Sequence, residues 1–188
     1  MKKKYSVAIY PSQDIIDLVK TMKGHLKSKI KWYNSCNSTA HITICEFELD
    51  DSELEKLKQK LSQICDTFTP FQVYLDHFGS FNPAGAFFIG PNEESGKKLE
   101  NIMIKTQNAL RSFKITKSSN NPHMTIGRKL SPEKIEIAKD LFTTIESDFL
   151  CREIVLRELD PIKEQYVVIE TFPFGSNPQP ELIQGSLF

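Results

Sequence analysis

At 188 residues, with 39% hydrophobic and 26% charged side chains, the chain has the makeup of a globular protein able to bury a real core. Lys+Arg and Asp+Glu both number 24, so there is no basic coat for nucleic acid, and an anionic partner must be held by a local cluster. No apolar stretch reaches the length of a membrane span, and the four cysteines include no Cys-x-x-Cys pair, which leaves reduced thiols in a cytoplasmic protein as the expectation.

Tyr5–Tyr10 reads as a strand. The basic start Met1-Lys2-Lys3-Lys4 resembles the opening of a signal peptide, but the apolar run behind it is only strand-length and meets Pro11. Ser12 caps a helix that runs to about Lys29. A strand follows around His41–Phe47. Asn37-Ser38-Thr39 before it fits a glycosylation sequon that is idle without a secretion route. Asp50 or Asp51 caps a helix to about Asp66, with Leu54, Leu57, Leu61 and Ile64 at helical spacing. Phe71–Phe78 and Ala86–Ile89 are strands joined by a loop of Gly, Asn and Pro.

The order then restarts. Pro91 turns into a helix through about Phe113, Ser118–Pro122 is a loop, and His123–Arg128 is a strand. Ser131 and Pro132 open a helix as cap and first-turn proline, ending near Asp148. Arg152–Leu159 and Gln165–Phe172 are the closing strands, and the tail after Gly175 is irregular. Gly90 to Lys98 looks superficially like a phosphate-binding loop. It has five residues between its glycines instead of four, and Lys98 stands where Ser or Thr would ligate magnesium, so it reads as a capped helix start.

Within this order one phrase is written twice. His41-Ile42-Thr43-Ile44 recurs 82 residues later as His123-Met124-Thr125-Ile126. On a strand, His and Thr of each phrase share one face and the apolar pair the other. Each phrase therefore offers one imidazole and one hydroxyl over a buried backing. Their surroundings repeat as well. Pro11 and Pro91 precede the two histidines by 30 and 32 residues, and Val73 and Ile154 follow them by 32 and 31. A duplicated unit explains this. It predicts an α+β fold in one bilobal domain over 1–188, with pseudo-symmetric halves at about 5–85 and 86–175 and an irregular tail 176–188. Two antiparallel sheets with outer helices would flank a central groove, and the two His-x-Thr strands would meet across it. Two imidazoles and two hydroxyls around one small anion can break or make a phosphodiester without a metal. His25, on a Lys-rich helix, reads as a surface residue, and His77 as core or groove wall. Two imidazoles with no carboxylate recurring beside both make no metal site, and no cofactor is expected.

The paired His-hydrophobic-Thr-hydrophobic motifs, the Phe78-Gly-Ser-Phe-Asn-Pro83 turn and Gly127-Arg128 after the second motif resemble the two-histidine phosphoesterase superfamily. That group includes the 2′-5′ RNA ligase-like proteins and the cyclic nucleotide phosphodiesterases. The resemblance covers Tyr5 to about Gly175. It implies that His41 and His123 act as acid and base, with His123 favoured as base and His41 as acid, and that Thr43 and Thr125 bind phosphate oxygens. It also implies that Arg128 adds charge at the phosphate. Strict alternation would put Arg128 on the wrong face, so this role needs a bulge or a strand end near Gly127. Cys45-Glu46 follows the first motif where a basic residue follows the second. Tyr10 and Phe81, at strand ends rimming the groove, are candidates to stack on a nucleobase, with packing between lobes as the alternative. The implied activity is hydrolysis of 2′,3′-cyclic phosphates or 2′-5′ linkages in RNA or nucleotides, with reversible ATP-independent ligation open to the same site. The partners would be RNA ends or a nucleotide, with no membrane, and the protein a monomer. The rival reading is a non-catalytic module that binds nucleotides or RNA ends.

Overall fold

The structure, a computed structural model, describes residues 2–178. It contains nine strands and four helices among the described residues: β1 (Lys3–Ile9), α1 (Gln13–Ile30), β2 (Ile42–Leu49), α2 (Asp51–Asp66), β3 (Phe71–Phe81), β4 (Ala86–Pro91), α3 (Glu93–Ala109), β5 (Ile115–Ser118), β6 (Met124–Gly127), α4 (Pro132–Leu141), β7 (Ser147–Cys151), β8 (Glu153–Asp160) and β9 (Gln165–Pro173).

Three helices start where side chains satisfy free backbone amides, whereas Ser12, expected to cap α1, stands at its N-cap position in extended conformation without a side-chain cap bond. Asn92 accepts from the Ser95 amide, and Ser131 from the Lys134 amide with Pro132 in the first turn. Glu53 reaches back to the Asp50 amide at 3.3 Å. The supposed phosphate loop is thus the end of β4 and the cap of α3. Each helix buries one stripe. On α1 the buried positions are Ile15, Val19, Lys23, Leu26 and Ile30, which places a lysine in an otherwise apolar row. No helix among the described residues is long and apolar enough to cross a membrane. The four cysteines are free.

All pairing is antiparallel, and the strands run in the order β7-β3-β4-β6-β2-β1-β8-β9, with β5 added to β2. The two expected sheets are therefore two lobes of one strongly curled ladder. The lobes join at β2 and β6 through a single residue pair, Ile42 with Met124. Those are the second residues of the two motifs. The lobes also exchange strands. β3, from the first half of the sequence, pairs with β4 in the lobe of the second motif, and β8 returns to pair with β1 beside the first. One apolar core lies under the sheet and includes Ile42, Ile44, Met124 and Ile126.

Two expectations on element boundaries change. The α3 helix stops at Ala109 and gives way to β5, and α4 stops at Leu141 and gives way to β7, where continuous helices were expected to about Phe113 and Asp148. β5 pairs with β2 over Cys45–Phe47, and β7 with β3 over Phe71–Leu75. Partners distant in sequence, not local propensity, make these strands. The repeat also has a different register in its third strand. Spacing matched Val73 with Ile154. In the sheet, Gly79 and Val155 occupy equivalent places, because Gly79 pairs with Phe88 next to Thr125 and Val155 pairs with Ala8 next to Thr43. Residues 179–188 of the expected irregular tail lie outside the described residues.

Candidate active site

The pairing of Ile42 with Met124 fixes the arrangement of the motifs. One step along antiparallel strands sets His41 across from Thr125 and Thr43 across from His123, on the face away from the core. Both imidazoles and both hydroxyls thus border one gap. All four residues are half-buried, while Ile42, Ile44, Met124 and Ile126 behind them are at most 1% exposed.

The two histidines are held alike. His41 Nδ1 lies 2.7 Å from the Thr39 carbonyl, and His123 Nδ1 lies 2.8 Å from the Asn121 carbonyl. A carbonyl only accepts, so each Nδ1 carries the proton and donates it. That fixes the tautomer and leaves each Nε2 without a partner among the described residues, able to take or give a proton. Burial pushes both imidazoles below the usual histidine range. His41 is pushed well below it, helped by the positive charges of Arg157, Lys23 and Arg128, and His123 is lowered by burial and Lys117. A carbonyl accepting from Nδ1 opposes the shift in each case.

Matched bulges follow the two threonines. Between β1 and β2, Val7 pairs with Cys45 and Ala8 with Thr43, so Ile44 is the extra residue. Between β4 and β6, Phe87 pairs with Gly127 and Phe88 with Thr125, so Ile126 is the extra residue. The bulge puts two successive residues on the core side and flips the alternation afterwards. Ile44 and Cys45 are both buried, as are Ile126 and Gly127. Arg128 is thereby returned to the face of His123 and Thr125, and Glu46 to the face of His41 and Thr43. The irregularity that Arg128 needs exists, one residue earlier than Gly127. Arg128 is exposed, and its amide is tied to the Asn34 carbonyl at 3.2 Å.

Tyr10 and Phe81 each stand against one histidine. The Tyr10 ring is 6.3 Å from that of His41 and stacked at 29°. The Phe81 ring is 5.0 Å from His123, edge-on, and stacks at 4.4 Å on Phe88, itself 5.3 Å from His123. A Cβ on Gly79 would stand 2.5 Å from the Phe88 ring, so glycine is what lets that ring lie across β3. His77 lies in the same way over Gly90, with Nδ1 donating to Asp76 at 2.6 Å. It is groove wall, not core. His25 is exposed on α1. Beyond His123 the groove opens into a cavity of about 700 Å³ lined by His77, Phe88, Gly90, Glu93, Glu100 and Asn121, among others.

Two groups escaped the sequence reading. Arg157, on β8, is 3% exposed, donates to Ser6 Oγ at 2.6 Å and lies against the rings of Tyr10 (5.8 Å) and Tyr166 (5.2 Å). Lys23, 2% exposed, donates to the carbonyls of Ser35 (3.1 Å) and Ser38 (2.7 Å) and to Ser38 Oγ (2.8 Å), pinning the loop before His41. Burial lowers the Lys23 ammonium to about 8. Both had a trace in the sequence: a cation closing the apolar run Ile154-Val155-Leu156, and a lysine at a core position of a helical stripe. Among the described residues no group of three His, Cys, Asp or Glu side chains is placed to hold a metal ion.

Residues 19–161 match the profile of the 2′-5′ RNA ligase superfamily. The chain belongs to this superfamily. No curated protein matches its sequence. Among solved structures, E. coli LigT complexed with 3′-AMP aligns at a TM-score of 0.67 with 15% identity, over 93% of this chain and 99% of that one. TT0787 of Thermus thermophilus aligns at 0.65 with 16% identity, over 93% and 98%. Usb1 of Kluyveromyces marxianus aligns at 0.56 with 15% identity, over 92% and 98%. At these identities the likeness is one of fold, and it spans almost the whole of each chain. This member of the 2′-5′ RNA ligase superfamily is built on the LigT-like fold.

Proposed function

We propose that this superfamily member hydrolyses 2′,3′-cyclic phosphates or 2′-5′ phosphodiesters at RNA ends or in nucleotides, by acid and base catalysis from His41 and His123. The observation that carries the proposal is the shared face: two imidazoles with Nε2 free, and two threonine hydroxyls without a partner among the described residues, around one gap. In hydrolysis of a cyclic phosphate one neutral imidazole takes a proton from water as the water oxygen attacks phosphorus. The phosphorus–ribose oxygen bond breaks, and the other imidazole, as imidazolium, protonates the departing oxygen. Thr43 and Thr125 donate to the non-bridging oxygens as charge builds on them, and Arg128 adds a cation from the strand end. Run backwards with an RNA 5′-hydroxyl in place of water, the same steps join ends without ATP. Tyr10 and Phe81 offer flat faces for a base next to each histidine.

The test is a screen of 2′,3′-cyclic mononucleotides and short RNAs ending in a cyclic phosphate, with excess chelator and without ATP. Turnover is expected, with His41→Ala and His123→Ala each about a hundredfold slower or worse. Binding of these compounds with no turnover would make the protein a non-catalytic module instead. Loss of activity in chelator, restored by one divalent metal, would refute the two-histidine mechanism.

A further inference from the structure

The loops that lead into the two motifs are fastened in the same way, each from a helix behind it. Thr39 supplies the carbonyl that fixes His41, and the loop before it is held from α1. Lys23 Nζ donates to the Ser38 carbonyl at 2.7 Å, to Ser38 Oγ at 2.8 Å and to the Ser35 carbonyl at 3.1 Å. These three acceptors use all the protons of the ammonium group. Asn121 supplies the carbonyl that fixes His123, and its loop is held from α3. Gln107 Nε2 donates to the Ser119 carbonyl at 2.8 Å, and Ser119 Oγ donates onward to the Asn121 carbonyl at 3.1 Å. α1 and α3 are the matching helices of the duplicated unit.

Each loop also reaches across to the bulge of the other motif. Ile44 and Ile126 are the extra residues of the two bulges, where the regular ladder is interrupted. The Ile126 carbonyl accepts from Ser35 Oγ at 3.3 Å, and the Arg128 amide donates to the Asn34 carbonyl alongside. The Ile44 carbonyl accepts from the Ser119 amide at 3.2 Å and from Gln107 Nε2 at 3.1 Å. The first loop thus holds the second bulge, and the second loop the first. One side chain ties each clasp to its helix: Lys23, buried in the apolar row of α1, and Gln107, half-buried on α3.

We propose that Lys23 and Gln107 are positioning residues, one for each histidine, which hold the orienting carbonyls of Thr39 and Asn121 and lock the two motifs at a fixed separation. The proposal rests on the phosphoesterase reading above, which makes the placing of both rings matter to the rate. A buried lysine in an apolar row carries a desolvation cost that a leucine would avoid. Its three bonds all go to the loop before His41. Gln107 likewise spends both amide protons on the second clasp, one on its loop and one on the opposite bulge. Neither residue touches the groove through these bonds; each acts through a backbone carbonyl. A misplacement of about 1 Å at a reacting group is enough to cost about a hundredfold in rate.

Nitrogen-15 NMR of the histidine rings in the ligand-free protein reads the positioning without turnover. Wild-type protein is expected to hold both neutral rings in the single tautomer with the proton on Nδ1. Lys23→Met should bring in the Nε2-protonated form at His41 and leave His123 as it was, and Gln107→Met should do the converse. Kinetics give a second readout. On a 2′,3′-cyclic nucleotide each variant should lose about tenfold or more in kcat with KM within about twofold, because the phosphate still meets Thr43 and Thr125. If Lys23→Met does not fold, Ser38→Ala, which removes one acceptor of Lys23, and Gln107→Met decide by the same two readouts. Folded variants that melt at lower temperature while tautomers and kcat hold would leave both residues a packing role and overturn the proposal. A change confined to the opposite ring, or a rise in KM alone, overturns it as well. A wild-type protein inert on every phosphodiester overturns the parent reading, and the ring signatures then still decide whether Lys23 and Gln107 position the histidines.

Discussion

Burial pushes both His41 and His123 below the ordinary histidine range, which favours the neutral ring at each. The chemistry needs one neutral and one protonated ring. For the free protein that combination is most populated between the two lowered values, so the bell in kcat/KM should centre on the acid side of about 6.5. A bound phosphate anion favours both imidazolium forms and raises both values, so the limbs of kcat should lie at higher pH than those of kcat/KM. Paired pH–rate profiles check this, and kcat/KM limbs above the ordinary imidazole value would contradict it. The two limbs belong to the pair as a unit. Arg128 is a separate case. Its side chain is exposed and it has no resolved effect on His123. Arg128→Ala should raise KM several-fold through lost phosphate contact, and its charge acts on His41 more weakly than those of Arg157 and Lys23, so the pH limbs should barely move. A large kcat loss with unchanged KM would mean that this guanidinium acts only in the transition state.

At the scale of elements, the bulges and glycines convert a repeated phrase into a site. The motif itself was legible: alternation alone places His and Thr on one face, and duplication brings the two faces together. The bulges were half legible, since the carry-over of Arg128 demanded one, but the sequence around Ile44 and Ile126 carries no bulge glycine at the extra residue. β5 and β7 were illegible because short segments such as Ile115–Ser118 become strands only when an edge is offered to them. Arg157 was missed because the exchange of β8 into the first lobe is a tertiary fact, and only that exchange brings it against Tyr10, whose ring stacks on His41. Gly79 gives a test at this scale. A methyl group there would meet Phe88 at 2.5 Å and push it against Phe81 and His123. Gly79→Ala should cost about 1–3 kcal/mol in denaturant unfolding and lower the rate as well. Full stability with full activity would mean that the ring swings aside freely.

For the whole molecule, the exchange of β3 and β8 makes each lobe depend on both halves of the sequence. A fragment ending at residue 85 carries β3 without β4, and β1 without β8, leaving long unpaired edges on both. It should be unfolded or aggregated by circular dichroism and sedimentation, and the full chain should unfold in one transition by heat. A fragment that folds alone with native-like helix content would show that the halves are separable after all.

The seam between the lobes bears on what kinds of molecule such a scaffold can come to accept. Thr43 and Thr125 belong to different lobes, and the ladder between β2 and β6 has one rung, Ile42 with Met124, followed by an isolated bridge between Asn34 and Arg128. Elsewhere each lobe is laced by ladders of several rungs. Fewer backbone rungs cross the midline than lace either half, so the seam is where the two halves would part most easily, like the covers of a book. Opening the covers by a small angle changes the width at the rim, where a base or a sugar would rest, far more than the width at the binding, where the phosphorus would sit. Lineages sharing this hinge can drift in what they read at the rim while the reacting centre keeps its dimensions.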